Sequence, residues 1–515
     1  MIDDANTTPK ALARASRTFG DAPALVDGPV RLSFRDLHTQ VIEVARAFVT
    51  FGVQVGDRIA IWAPNSRHWV VAALAVHNCG AQLIPINTRY TATEAVDILA
   101  RTDARVLVVP ERFLGVSRAE ELDRSALPGL RAIVAFPIGA EPASPTSGAV
   151  RWADLPSIAM NTLESIVRER ADAVDADTVC DVLFTSGTTG RSKGAMSAHR
   201  QSMSVARAWA GCVGLTEGDR YLVVNPFFHS FGYKAGILAA LSVGATIYPM
   251  AVFDAEAAMR AVDEHGITVL PGAPTIFSTI LGHPARDRFD LSSLRLAVTG
   301  AAVVPVSLIE RMRHELTIDT VLTAYGLTEA VVATMCRPGD DALTVATTSG
   351  CAAAGFEVRI GARDEVLLRG PNVMLGYLDD PEATRAAVDE DGWLHTGDVG
   401  ALDERGYLTI TDRLKDMYIS GGFNVYPAEI EQTVLRFDGV ADAAVVGRPD
   451  SRLGEVGVAV VVPSQGAQLD IDALLAFCRG QLAGFKVPRS VVVRRELPRN
   501  AGGKVLKRVL REELR

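Results

Sequence analysis

The densest chemistry in the chain lies in Thr185-Ser186-Gly187-Thr188-Thr189-Gly190-Arg191-Ser192-Lys193-Gly194. An apolar run, Val179–Phe184, leads straight into it. Glycines let backbone N–H groups approach an anion, hydroxyls donate further hydrogen bonds, and the lysine adds charge. That set suits the phosphates of a nucleotide. It departs from GxxxxGK[ST], because Ser192 stands where that pattern needs Gly and Gly194 where it needs Ser or Thr. A second group, Ala324-Tyr325-Gly326-Leu327-Thr328-Glu329, follows the short strand expected over Thr320–Thr323. There an aromatic ring can stack on a purine, a Thr can bond a phosphate and a carboxylate can hold Mg²⁺. Thr299-Gly300-Ala301-Ala302 follows another apolar strand, and its small side chains let backbone lie against a flat ring.

Lysine is scarce. Of 52 basic side chains seven are Lys, at 10, 193, 234, 415, 486, 504 and 507, and 45 are Arg. A compact ammonium differs from a guanidinium fork, which singles these positions out. Lys504 ends Leu497-Pro498-Arg499-Asn500-Ala501-Gly502-Gly503-Lys504. On such a Gly-rich loop a Lys can be delivered to a reacting phosphate and stabilise the charge that gathers there. Asp412-Arg413-Leu414-Lys415-Asp416 has four charges in five residues and reads as an interdomain linker. In Ser420–Ile430, Gly421 and Gly422 suit close backbone approach and Pro427 suits a helix start. His314-Glu315 is no zinc motif, since Ile occupies position 318, and there is no GxGxxG or GxSxG.

Positioning these groups takes an α/β framework. Apolar strands alternate with helical patterns from about 20 to 330, as in Arg58–Trp62 then Trp69–Val76, or Leu294–Thr299 then Pro305–Leu316. That rhythm predicts largely parallel sheets. From about 355 short strands separated by turns predict a small β subdomain, with strands at Glu357–Ile360, Glu365–Arg369 and Tyr407–Ile410. The tail from about 416 reads as a separate α+β unit. It has strands at Ala443–Val446, Gly457–Val462 and Ser490–Val493, and a last helix over Val505–Leu514.

Composition removes other classes. The 515 residues carry a net charge of −9, against the basic footprint of a nucleic-acid binder. The apolar run Trp69–Val76 is far short of the ~20 residues of a membrane span. Met1-Ile2-Asp3-Asp4 lacks the basic-then-apolar order of a signal peptide. Six scattered cysteines form no CxxC pair and read as reduced thiols, so the expected location is cytoplasmic.

In order and spacing these motifs resemble those of the adenylate-forming superfamily: acyl-CoA synthetases, peptide-synthetase adenylation domains and luciferases. The resemblance covers nearly the whole chain. It departs at Ser192, where the family usually has Pro, and at Asp412, where it commonly has Gly. It implies an N-terminal adenylation domain over 1–412, a hinge over 413–416 centred on Lys415, and a mobile C-terminal domain over 417–515. It implies ATP or AMP binding by Thr185, Ser186, Gly187, Thr188, Thr189, Gly190, Lys193, Gly300, Ala301, Ala302, Tyr325, Gly326 and Thr328. Asp398 of Trp393–Asp398 and Arg413 would hold the ribose, and Glu329 would hold Mg²⁺. Asn225-Pro226-Phe227-Phe228-His229-Ser230-Phe231-Gly232-Tyr233-Lys234 matches the family's acid-pocket segment, so Phe228, His229 and Lys234 are expected to face the carboxylic acid. Gly421 and Gly422 would line the coenzyme A tunnel.

The reaction so implied is an ATP-dependent acid–thiol ligation in two halves. A carboxylate attacks the α-phosphate to give acyl-AMP, with Lys504 stabilising the transition state, and coenzyme A then displaces AMP after the C-terminal domain reorients. Asn87–Glu94, Phe227–Gly236 and Asp412–Glu429 look closer to one group of actinobacterial ligases. That group activates the propanoate side chain of the bicyclic remnant of sterol rings C and D. Three other readings stay open: a medium-chain fatty or aryl acid ligase, an acyl-AMP ligase that loads a carrier protein, and a non-catalytic nucleotide or acyl-AMP binder. The last expects loss of Glu329 or Lys504, and both are present.

Overall fold

A computed structural model of the chain describes residues 5–138, 148–185, 192–300, 304–353, 355–414, 416–420, 423–450, 453–482, 484–500 and 503–514. It divides into two compact units. One comprises Met1–Glu357 with Leu368–Gly392, the other Val358–Leu367 with Trp393–Arg515.

Two large sheets build the first unit among the described residues. The eight-stranded sheet runs Gly376–Tyr377, Lys193–Ala198, Val179–Thr185, Gln82–Pro85, Arg58–Ile61, Val106–Pro110, Ala132–Phe136, Val150–Arg151. Its strands are parallel from Val179–Thr185 onward, whereas Lys193–Ala198 and Gly376–Tyr377 are antiparallel additions. The nine-stranded sheet places Arg220–Val223, Val269–Pro271, Leu296–Gly300 and Thr320–Leu327 side by side and parallel. Strands covered on both faces read as unbroken apolar runs, and every residue of Val106–Pro110 and Ala132–Phe136 is buried. Helix Arg67–Asn78 is buried all round, which fits a helix apolar on every face, and Trp69 lies within it at 0% exposure.

The second unit holds a four-stranded sheet of Glu357–Ile360, Glu365–Arg369, Leu394–Leu402 and Leu408–Arg413. Its other sheet centres on the long hairpin Val440–Asp450 and Gly454–Pro463. The period-2 alternation of that hairpin sorts its two faces. Val445 and Val461 pack with Ile430, Val434 and Leu474 of two helices, while Val446 and Val460 pack with Leu497 and Leu510. The last helix is Lys507–Glu513, two residues shorter at its start than the sequence pattern suggests, because Val505 bridges to Arg499. The small β sheet groups with the C-terminal unit, and Asp412 Oδ2 accepts the Ala428 N–H at 2.8 Å.

One buried carboxylate fastens the far edge of the nine-stranded sheet. Asp219 accepts from Arg295 Nε, Thr268 Oγ1 and the Thr216 N–H, beside the starts of three parallel strands. Burial pushes its carboxyl up, but these donors outweigh it and hold the carboxyl below its ordinary value. A depressed carboxyl adds stability that is present above the unfolded-state value and is lost as pH falls through the folded one. Asp219→Asn should therefore cost about 2 kcal/mol in urea unfolding at pH 7. The variant should also lose stability less steeply than the parent below about pH 4. An unchanged midpoint at pH 7 would show that Asp219 carries no net load.

Candidate active site

Parallel strands end at one edge, and the candidate residues stand there. Leu296–Gly300 and Thr320–Leu327 pair in parallel register, with Gly300 opposite Ala324. Gly300 has φ +157°, and a Cβ there would stand 3.1 Å from the Ala324 carbonyl. This register sets Thr299-Gly300 against Thr323-Ala324, and Tyr325-Gly326 follow directly on the same strand. Gly326 is tighter still, since a Cβ would meet the Val332 amide nitrogen at 2.5 Å. The strand expected to stop at Thr323 runs on to Leu327 and turns back as Ala330–Met335. Thr328 and Glu329 thus form the two-residue turn of a hairpin, with both side chains at its tip.

In the other sheet Thr185 pairs with Lys193 across an antiparallel hairpin. Ser186, Gly187, Thr188, Thr189 and Gly190 lie outside the described residues, as do Ala301, Ala302, Lys415, Gly421 and Gly422. Arg101 steadies one arm, donating to the Ser192 carbonyl at 2.8 Å while stacking over Phe184.

Tyr377, which no sequence motif singles out, joins the two edges. Its hydroxyl donates to Glu329 Oε1 at 2.7 Å, and the Lys193 ammonium lies 5.0 Å from its ring centroid. Its strand pairs with Lys193–Ala198 through Tyr377 and Ala195, and the Met374 N–H donates to the Glu329 carbonyl. Burial and the adjoining carboxylate push the phenol well up, so it remains a donor. The signal in the sequence was Gly376-Tyr377 followed by Asp380-Pro381, a strand end before a capped helix start.

The acid-pocket segment leaves the end of Arg220–Val223. Asn65, 4% exposed, pins it by accepting the Phe227 N–H and donating to the Val223 and Asn225 carbonyls. Phe227 is wholly buried against Trp69, while Phe228 is half-exposed. Part of His229 is accessible to solvent, and desolvation of its ring by the surrounding protein lowers its pKa from the ordinary value. The Phe231 N–H donates to Nδ1 at 3.3 Å, which leaves Nε2 as the protonated, donating nitrogen. Lys234 is expected on the acyl chain. The structure places it 1% exposed, 3.0 Å from Asp181 Oδ1 and 2.8 Å from Ser197 Oγ. Its ammonium is held inside the fold by these two partners.

In the second unit Asp398 and Arg413 are direct cross-strand partners. Asp398 is 3% exposed and stands after Gly397, whose φ is +69° and whose N–H bonds Glu365 Oε1. Lys504 is exposed and closes a loop in which its carbonyl accepts the Asn500 N–H. Arg499 braces that loop through Asp442 and the Gly503 carbonyl. No helix among the described residues is long and apolar enough to cross a membrane.

Residues 12–378 match the family model described as AMP-binding enzyme, and 429–504 match the AMP-binding enzyme C-terminal domain. A curated protein of Rhodococcus jostii (strain RHA1) is 58% identical over 100% of both chains. It is named 3-[(3aS,4S,7aS)-7a-methyl-1,5-dioxo-octahydro-1H-inden-4-yl]propanoyl:CoA ligase. A protein of the same name from Mycobacterium tuberculosis is also 58% identical, over 99% of this chain and 100% of its own. Among solved structures, ATP-bound MatB from Rhodopseudomonas palustris matches with TM-score 0.86 and 29% identity over 98% of this chain and 99% of that one. The anthranilate CoA ligase AuaEII, in complex with anthranoyl-AMP, matches with TM-score 0.85 and 26% identity over 98% and 97%.

The Tyr377–Glu329 contact gives a direct test of this edge. Tyr377→Phe removes one hydrogen bond worth ~1 kcal/mol, so the KM for ATP should rise about fivefold while that for the acid moves less than about twofold. Equal changes in both would mean that Tyr377 only supports the fold. On its full-length matches and this arrangement of motifs, the chain belongs to the AMP-binding enzyme family.

Proposed function

We propose that this enzyme joins the propanoate carboxylate of a bicyclic indanedione, as left by sterol ring degradation, to coenzyme A through an acyl-adenylate. One observation carries the substrate: 58% identity, end to end, to two ligases whose names specify that acid. In this reading the phosphates lie against Thr185–Gly190 and Lys193. Adenine lies between Tyr325-Gly326 and Gly300–Ala302, with the α-phosphate on Thr328. Asp398 and Arg413 take the ribose, and their cross-strand pairing supports a shared ligand. His229 donates from Nε2 to an oxygen of the acid, with Phe228 beside it.

Glu329 suits Mg²⁺. It offers a hard oxygen ligand on a tight turn, with Tyr377 fixing one oxygen. Bound there, the ion would neutralise charge on the phosphates. Lys504 stabilises charge on the α-phosphate as the carboxylate attacks in line and pyrophosphate leaves. Gly421 and Gly422 line the path of coenzyme A in the second half, and Lys415 is the hinge between halves. We place the enzyme in the cytosol, where its six free thiols stay reduced.

The substrate is tested by mass spectrometry of the thioesters formed from Mg·ATP, coenzyme A and a pool of fatty, aryl and steroid-derived ring propanoates. A dominant ring-propanoyl thioester is expected. Fatty or aryl thioesters would discard the acid named here, and acyl-AMP without thioester would indicate a carrier-loading ligase. Lys504→Ala should cut pyrophosphate release by about 10²–10³ and leave ATP binding within about threefold. Near-normal release would refute its role.

A further inference from the structure

Asp181 and Lys234 form a fully buried ion pair that no step above uses. Asp181 lies on Val179–Thr185, the strand that runs into the phosphate-loop motif. Lys234 lies on Phe231–Leu238, a π-helix that begins two residues after His229. The ammonium bridges both arms of the phosphate-loop hairpin, since it reaches Asp181 on one strand and Ser197 on the other, and these two are register partners. Asp181 Oδ2 also accepts from Ser202 Oγ at 2.8 Å, which adds helix His199–Val213. One charge pair thus ties four elements.

Two irregularities of backbone meet here. The hairpin register slips between Val179 and Asp181, and such a bulge turns consecutive side chains toward one side. The wide turn of a π-helix, rare and concentrated at functional sites, presents the neighbours Tyr233 and Lys234 to that bulge. The Tyr233 hydroxyl lies 3.7 Å from Cys180 Sγ and 2.7 Å from His77 Nε2. A pair of this kind is a poor source of stability. Burial raises the Asp181 carboxyl in spite of the ammonium beside it, and buried ion pairs commonly give less stability than apolar residues of the same volume. Geometry is what the pair supplies. Lys also stands here in a chain that uses Arg for 45 of its 52 basic positions, and a single ammonium fits between Asp181 and Ser197 where a planar fork would have to spread.

Cys180, His77 and His199 bring ligand atoms within 4.8 Å of one another, but hydrogen bonds already occupy them. The Thr8 N–H donates to His199 Nδ1, and Tyr233 takes His77 Nε2. Cys180 Sγ is almost equidistant from the two nitrogens of His77, at 3.7 and 3.9 Å, so it lies in line with neither lone pair. The cluster is a hydrogen-bonded packing layer that anchors the same π-helix.

We propose that the Lys234–Asp181 pair is a positioning device for adenylation, which locks the acid-facing segment around His229 to the strand that aims the phosphate loop. The proposal rests on the assignment of those two segments to acid and phosphate. Lys234→Met, Asp181→Asn and the neutral double variant test it, with three readouts: thermal midpoint, acid-dependent pyrophosphate release, and thioester formation from preformed acyl-adenylate. Lys234→Met should lower the rate of pyrophosphate release at least tenfold, with the second half-reaction falling less than threefold. The double variant removes both charges, so its midpoint should return toward the parent value while adenylation stays slow. Adenylation that recovers together with the midpoint overturns the proposal and leaves a structural pair. So does an equal loss in both half-reactions. Absence of pyrophosphate release from the unsubstituted enzyme with every acid overturns the ligase reading itself, and this inference with it.

Discussion

The parallel register that sets Gly300 beside Ala324 is the constraint on which the adenylation centre depends. Backbone must approach backbone there without an intervening Cβ, and a flat ring or a phosphate can then approach the same edge. Parallel strands deliver their carboxyl ends to one side, where ligands of open α/β sheets bind. Four adjacent strands do so here: three lead into Asn225–His229, Gly272 and Gly300, and the fourth carries Tyr325 close to its end at Leu327. The second sheet contributes Thr185 and Lys193 by breaking its own rule. After five parallel neighbours the chain turns back as an antiparallel strand, and that reversal places Lys193 over Tyr377.

Charge is handled differently at the edge and in the interior. At the edge, Glu329 and Lys193 share Tyr377 as a neutral spacer that donates to one and offers its ring face to the other. Opposite charges could otherwise pair and leave neither for a phosphate or an ion. In the interior, Asp181 and Lys234 meet directly at 3.0 Å, where no ligand competes.

Much of this was legible in the sequence. Thr185–Gly194 and Ala324–Glu329 stand out because each combines reactive side chains with glycine after an apolar run, a local signal, whereas Asp398 stands out only through the family resemblance. The parallel α/β class and the three tail strands were likewise carried by local periodicity. What could not be read was tertiary. Tyr377 acts through a contact 48 residues away from it in sequence, and Asn65 pins Phe227 across 162 residues. The partner of Lys234 is likewise hidden, because a lone lysine in an apolar segment offers no sign of it. Only the bulge at Asp181 and the π-helix reveal that partner, and neither has a sequence signature of its own.

Asp412 shows how a departure from the family pattern can acquire a structural reason. The helix Pro427–Leu435 opens after Tyr426, which has no side-chain oxygen bonded to the first-turn amides. Asp412 supplies that oxygen from the neighbouring strand, accepting the Ala428 N–H, and is itself 6% exposed. Glycine at 412 could not do so. On the other side of the strand pair, the Leu414 N–H bonds the Gly397 carbonyl and keeps Arg413 opposite Asp398. At 414 the chain is thus tied to the neighbouring strand, and at 412 to the helix through a carboxylate. A charge-assisted bond of this kind is worth about 1.5–3 kcal/mol. Asp412 therefore fastens the helix Pro427–Leu435 to the strand Leu408–Arg413 within the second unit, a tie that glycine at 412 would lack.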